Sequence, residues 1–391
     1  MTSQVSMQAG SGFVLPRGGP RPTGGVDPDP ADAGPVSALQ SPAHTLARAD
    51  ELLEQVCERL EAQWRERSPE PPDVLSDDFP QLLRDWLLPT AGKRLRPVMC
   101  HWGWAAAHGP DRAGADDLVA MCAALELVHL FALVHDDVMD RSDSRRGRTT
   151  THVEAARAHV SAGGLGDPTL FGDSIAILLG DLALNEAWDL AAGCAPALRR
   201  AWSDMLRELV QGQLLDVTGA AARRRDLERA RRVARLKSGA YTVQRPLHLG
   251  ALAAGADPDV LAALDVYGTH LGEAFALRDD ILGVWGDPAR TGKPVGDDLL
   301  SGKPTVLLAE AREALPPDVA EQHLGEQGVV TPDTVPVLQE LMREAGVLDR
   351  TEQRITTEVR LACEALDGAD LEPGAVAELR SLAELIAWRD S

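Results

Sequence analysis

The run Asp136-Asp137-Val138-Met139-Asp140 gathers three carboxylates into five residues. On a helix, Asp136 and Asp140 share one face and both reach a single cation, while Asp137 sits about 100° further round. Hard Mg²⁺ takes one or two protein carboxylates and completes its octahedron with water and phosphate oxygens, so the spacing suits a diphosphate held through metal. Taken alone, such a run is better read as a solvated helix end. Its company changes that reading. Gly92-Lys93-Arg94-Leu95-Arg96-Pro97 puts Lys93 and Arg96 three residues apart at a loop-to-helix entry, where unpaired N–H groups and the helix dipole also favour an anion. Arg145-Arg146-Gly147 follows the aspartates closely. An acidic protein that concentrates cations beside its carboxylates holds either an anionic ligand or a salt-bridge network.

A second cluster runs Arg278-Asp279-Asp280-Ile281-Leu282-Gly283, then Gly286-Asp287-Pro288, Thr291-Gly292-Lys293 and Gly302-Lys303. Neither lysine belongs to a P-loop. Five residues, not four, separate Gly286 from Gly292 and Gly296 from Gly302, Pro294 and Pro304 stand where the hydroxyl belongs, and no strand precedes.

Both clusters end helices that read as central. The segment from Ala115 to Asp140 is nearly apolar all round until its last turns, and that from Leu261 to Leu282 behaves alike. Buried carboxylates are costly unless something cationic meets them. Two such helix ends opposed across a cavity would form a metal site. From about Thr45 the apolar residues recur three and four apart, which predicts helices over 45–66, 79–88, 97–108, 114–140, 172–192, 195–218, 225–253, 257–284, 304–314, 334–347, 350–365 and 373–388. No run of β-branched alternation demands a sheet. The expected fold is all-α, a single domain over 45–391. Residues 1–44, rich in Gly, Pro, Ser and Asp, read as a disordered tail in preference to a transit peptide, and no stretch reads as a membrane span.

With 39 basic and 60 acidic residues the formal charge is -21, which argues against general nucleic-acid binding and requires any anion to be held locally. Cys57, Cys100, Cys122, Cys194 and Cys363 lie far apart in apolar contexts with no zinc spacing. They read as reduced core residues of a cytoplasmic protein.

Six ordered segments carry a family resemblance: GKRLRP (92–97), ELVHLFALVHDDVMDRSDSRRGRTTTH (126–152), FGDSIAILLGDLAL (171–184), QGQLLD (211–216), KSGAYT (237–242) and AFALRDDILGVWGDPARTGKPVGDDLLSGKPT (274–305). From about Leu52 to Arg389 the chain resembles the trans-isoprenyl diphosphate synthases, which include farnesyl and geranylgeranyl diphosphate synthases. The resemblance implies a helical bundle of the isoprenoid synthase type around a central cavity, a homodimer, and Mg²⁺ as cofactor, three ions to a site. Asp136, Asp140 and Asp279 would ligate Mg²⁺ on the allylic diphosphate, with Asp137, Asp280 and Asp298 in support. Arg145, Lys237, Lys293 and Lys303 would hold that same diphosphate, with Ser238 nearby. Lys93, Arg96, His129 and Arg146 would hold isopentenyl diphosphate. His129 lies seven residues before Asp136, nearly two turns, and so shares its face. The implied reaction ionises the allylic C–O bond, lets the isopentenyl double bond attack the cation, and releases a proton. Diphosphate gains charge as it leaves, so cations around it stabilise the transition state above the ground state.

Three positions depart from the family's pattern. Gly283 replaces the last Asp of the second cluster, Ala276 the usual Gln, and Ser238 a common Thr. Metal ligation at the second cluster would then rest on Asp279 with help from Asp280. Chain length follows from the helix bearing Asp136: Phe131 and Ala132 lie about 6 to 7.5 Å deeper along its axis, roughly one isoprene unit. Ala132 leaves the channel open and Phe131 narrows it, and by resemblance this pair implies a C20 product, geranylgeranyl diphosphate.

Two rivals stand beside this reading. A class I terpene cyclase shares the first aspartate motif, but Thr305 occupies the Glu position of the cyclase metal motif that Asp297 begins, and a cyclase has no use for Lys93, Arg96 and Arg146. A non-catalytic subunit of a heteromeric synthase would explain Ala276 and Gly283, but it need not keep the aspartates.

Overall fold

In a computed structural model, which describes residues 41–67, 79–88, 93–107, 114–145, 147–222, 226–287, 296–325 and 328–389, the chain is built of helices. The first group is α1 (Pro42–Arg67), α2 (Phe79–Leu87), α3 (Leu95–Ala106) and α4 (Ala115–Asp140). A two-stranded antiparallel ribbon, β1 (Ser144–Arg145) with β2 (Arg148–Thr149), leads to α5 (Thr151–Ser161), α6 (Pro168–Ala192) and α7 (Pro196–Ala221). Next, α8 (Leu227–Val233), a π-helical segment (Ala234–Gln244) and α9 (Arg245–Ala253) run on without leaving helical backbone angles. The rest is α10 (Pro258–Trp285), α11 (Asp297–Ser301), α12 (Val306–Ala314), α13 (Pro317–Leu324), α14 (Val335–Glu344), α15 (Val347–Ala365) and α16 (Pro373–Ala387). Residues 1–40 of the expected tail, together with Arg146 and Lys293, lie outside the described residues.

The all-α class holds, with differences that have local causes. Ser41 accepts the Ala43 N–H at 3.3 Å and Pro42 fits the first turn, so α1 starts ahead of residue 45. Asp167 caps the Thr169 N–H at 2.9 Å with Pro168 behind it, which starts α6 four residues before the expected 172. Three helices, α5, α11 and α13, arise where no helix was expected.

Two long apolar helices organise the core. α4 packs on α6, α1 and α3, and Met121, Cys122, Leu125, Leu127 and Val128 are fully buried there. It is the one helix among the described residues long and apolar enough to cross a membrane, and most of it is buried inside the bundle. α10 packs on the π-helical segment and on α15. Gly239 and Gly272 meet backbone to backbone, where a Cβ on Gly239 would lie 2.8 Å from the Gly272 carbonyl carbon and oxygen. Glycine lets these two segments approach this closely, which fixes the helix carrying Lys237 against the helix carrying Asp279. Arg278 points away from the aspartates beside it, donating to the Ala387 carbonyl and to both Glu352 oxygens (2.9 and 2.6 Å), and so ties α10 to α15 and the end of α16. All five cysteines are free, four of them buried, and burial pushes the Cys57 thiol up to about 11.

Candidate active site

The last turns of α4 carry Asp136, Asp137 and Asp140, and side chains from three other elements meet them. Lys237, on the π-helical segment, sets its Nζ 2.8 Å from Asp136 Oδ1 and 2.7 Å from Asp216 Oδ2 on α7. Gln213, one turn before Asp216, donates to Asp136 Oδ1 at 3.0 Å. Arg145, on the ribbon, donates to Asp137 Oδ1 from Nε and lies 2.7 Å away through Nη2, with Asp136 Oδ2 at 3.7 Å. π-Helical turns recur at functional sites because they re-aim side chains, and here one carries the lysine.

The protonation equilibria report crowded charge. Burial works to raise the Asp136 carboxyl, but Lys237, Lys303 and Arg145 outweigh it and hold the group below the ordinary range. Burial, and then the neighbouring Asp136, push Asp140 the other way. Asp137 is raised by burial despite Arg145. The Lys303 ammonium is held well above its usual range: burial opposes its charge, while Asp298, Asp136, Asp140 and Asp216 more than compensate. The Lys303 ammonium is thus charged by the joint field of the α4 and α7 carboxylates and of Asp298.

The second cluster is arranged otherwise. Asp279 is half exposed and paired with Arg389, whose guanidinium lies 4.0 Å above the Phe275 ring. Asp280, expected to assist Asp279, accepts the Leu307 N–H of α12 at 3.2 Å, and burial together with Asp298 pushes its carboxyl well up. Its visible partner is thus a helix N-terminus rather than the open site. Asp298, on α11, is buried against α10 at Gly283.

The cations of the 92–97 segment divide in two. Arg96 stacks on the Tyr241 ring, 4.2 Å from its centroid, and donates to Thr242 Oγ1 at 3.1 Å. Arg94 adopts the left-handed conformation (φ 47) and turns inward to Asp50 and to Glu126 Oε2, 3.2 Å away. Left-handed backbone is strained for a side chain other than glycine, and this buried ion pair holds it. Lys93 precedes that turn. His129 and Ala132 are half-buried on α4, and the Phe131 ring packs edge-on against His135 at 4.6 Å. The imidazole is itself 3.0 Å from the Ile177 carbonyl of α6. Ser238 is half-buried beside Lys237, and Ala276 borders a cleft with Gly239, Ala240 and Leu277.

Four partners of the site escaped the sequence reading: Gln213, Asp216, Tyr241 and Arg389. A signal existed for three of them, since Gln213 and Asp216 fall in the segment QGQLLD and Tyr241 in KSGAYT, although neither segment implied a role for them. Nothing in the spacing marks Arg389.

Among the described residues no three His, Cys, Asp or Glu side chains converge tightly enough to cage an ion unaided. Mg²⁺ retains waters and relies on one or two carboxylates plus substrate phosphates. The donor chemistry agrees: Asp136 and Asp140 are hard oxygen ligands one turn apart whose mutual repulsion a cation would relieve.

A family model described as polyprenyl synthetase matches residues 81–341. A (2E,6E)-farnesyl diphosphate synthase of Mycobacterium tuberculosis is 39% identical over 221 residues, 55% of this chain and 55% of that protein, so the match spans about half of that relative. A geranylfarnesyl diphosphate synthase of Aeropyrum pernix is 30% identical over 309 residues, covering 77% of this chain and 90% of that protein. Among solved structures, the geranylgeranyl pyrophosphate synthase of Corynebacterium glutamicum complexed with isoprenyl diphosphate and magnesium is similar with a TM-score of 0.75 and 37% identity, over 87% of this chain and 99% of that one.

Proposed function

Because the chain belongs to the polyprenyl synthetase family, we propose that it joins an allylic diphosphate to isopentenyl diphosphate and makes a short-chain trans-prenyl diphosphate, geranylgeranyl diphosphate. The observation that carries this reading is Asp136, a largely buried carboxylate held by Lys237, Gln213 and Arg145. Such a concentration of opposite charges is costly without a ligand to use it.

Bound Mg²⁺, three ions by family resemblance, would neutralise charge gathering on the leaving diphosphate. Asp136, Asp140 and Asp279 are the residues to hold it. Lys237, Arg145 and Lys303, with Lys293, present ammonium and guanidinium groups to the allylic diphosphate, so the C–O bond breaks where its departing electrons are best stabilised. Lys93, Arg96, His129 and Arg146 hold the isopentenyl diphosphate. Its double bond attacks the allylic cation, and the proton lost afterwards leaves to the released diphosphate. Arg96 is already fixed by Tyr241 and Thr242, so little ordering is left for binding.

The Phe131 ring, pinned by His135, supports the C20 assignment. Phe131→Ala should lengthen the products and Ala132→Phe should shorten them, as read by chromatography of the dephosphorylated alcohols. Unchanged lengths in both variants would remove that assignment. The protein acts as a homodimer: Leu170, Ile177, Leu178 and Trp188 on α6, with Val210, Leu214 and Val217 on α7, form exposed apolar stripes of the kind that a second copy covers. Light scattering should return twice the chain mass. Its place is the cytoplasm, where its unpaired thiols stay reduced.

Purified protein given isopentenyl diphosphate, Mg²⁺ and C5, C10 or C15 allylic primers tests the whole reading. Elongated diphosphates ending at C20 are expected. Released hydrocarbon would indicate a cyclase, and an inert protein would indicate a partner subunit. Thr305, at the position where a cyclase carries Glu, instead caps α12 through the Leu308 N–H at 3.2 Å.

A further inference from the structure

Arg94 and Arg141 are the two residues other than glycine that take left-handed backbone among the described residues, and Arg94 does so at the entry to α3 (φ 47, ψ 39). Such backbone persists where the surroundings over-determine it, and it gathers at functional sites. The Arg94 carbonyl accepts the Val98 N–H at 3.1 Å, so the strained residue opens the helix that carries Arg96. Its side chain is nearly buried and meets two carboxylates. Nη1 pairs with Asp50 of α1, and Nε lies 3.2 Å from Glu126 Oε2 of α4. Glu126 is the deeper partner, 14% exposed against 37% for Asp50. Burial raises its carboxyl, and Arg94, followed by Arg96, acts against that rise. One interior carboxylate thus attracts two guanidiniums. Arg94 holds it, while Arg96 rests on neutral groups, the Tyr241 ring and Thr242 Oγ1.

We propose that Arg94 is a positioning residue: it is the counter-ion of Glu126, and by occupying that carboxylate it leaves the charge of Arg96 for isopentenyl diphosphate. A buried carboxylate that loses its partner is left at high cost, and Arg96 is the next cation acting on this one. Paired with Glu126, Arg96 would present no net charge to an incoming anion. The left-handed turn separates the two tasks, since it sends Arg94 inward to α1 and α4 while Arg96 faces the π-helical segment. The inference rests on the assignment of Arg96 to isopentenyl diphosphate and adds the residue that keeps it available. Arg94 acts through Arg96 rather than on the substrate.

The test is calorimetric titration of isopentenyl diphosphate into the full chain, beside steady-state kinetics with an allylic primer and melting followed by circular dichroism. Arg94→Gly accepts left-handed backbone without strain. It should weaken isopentenyl diphosphate binding about 10- to 100-fold, the range for one lost charge-assisted hydrogen bond, with kcat and the allylic KM nearly unchanged. Removing the competing carboxylate should reverse the loss, so Arg94→Gly combined with Glu126→Gln should recover most of the affinity. A broken cross-link is not regained by removing its other half, and this rescue therefore separates positioning from a structural role. Arg94→Asn, which also tolerates left-handed backbone, repeats both measurements should glycine loosen the entry. Wild-type affinity in folded Arg94→Gly would overturn the proposal, as would a folded double variant that binds as weakly as the single one. Elongation of the primer by the wild-type chain would leave the prenyl-transfer reading standing in either case. A wild-type chain that neither binds isopentenyl diphosphate nor elongates the primer would overturn both.

Discussion

The ends of α4 and α10 carry the same kind of residue and treat it in opposite ways. At the end of α4 the aspartates are met by Lys237, Gln213 and Arg145 from three separate elements. At the end of α10, Asp279 is half exposed with Arg389 as its partner, Asp280 is drawn into the α12 N-terminus, and Gly283 yields its space to Asp298. One half of the site is rigidly prepared by packed helices. The other is completed by segments that follow it in the chain, α11 and the residues after α16. Preorganised groups stabilise a transition state without reorganising during the reaction, so the α4 end should dominate turnover and the α10 end should govern how the site is completed.

Substitutions at the two ends put that contrast at risk, beginning with the largest effect. Asp136→Ala should cut turnover about 10³-fold while the circular dichroism spectrum stays native, because it removes the carboxylate on which Lys237, Gln213 and Arg145 converge. Near-normal activity would dissolve the contrast. Lys237→Ala should cost about 10²-fold in kcat, as expected for one lost cation at developing negative charge. Asp216→Asn acts through Lys237 and should cost about tenfold, the low end for an outer partner of a site. A loss as large as that of Asp136→Ala would make Asp216 a direct participant. Arg389→Ala should have the smallest effect, a few-fold increase in the allylic KM with kcat nearly unchanged, because its partner Asp279 is half exposed and such pairs are weak. A fall in kcat matching that of Lys237→Ala would show the α10 end to be equally prepared.

How much of this was open to a sequence reader differs element by element. The central helices were legible because α4 and α10 are apolar nearly all round and then end abruptly in aspartates, a pattern that burial imposes on composition. α5 and α13 were not. The first, between the ribbon and α6, buries Thr151, His152 and His159, polar residues that leave no apolar period to read, and the second, opened by Pro317, buries only Ala320 and Leu324 in eight residues. The expectation that lysines would gather at the aspartates concerned residue types, but the pairing of Lys237 with Asp136 spans 101 positions and belongs to tertiary packing. Arg94 shows the converse. It stands between Lys93 and Arg96, the two cations read as anion-binding, whereas its own left-handed backbone turns it into a buried ion pair with Glu126.

The π-helical run has one further consequence. Each of its residues turns the chain through less than the roughly 100° of an α-helix, so the segment behaves like an ordinary helix with extra residue absorbed as slack. Removing one residue between Leu236 and Gln244 would let it tighten, and everything beyond would rotate in phase. With Lys237 kept on Asp136 and Gly239 on Gly272, a loss after Gly239 would turn Arg245 away from Glu208 on α7.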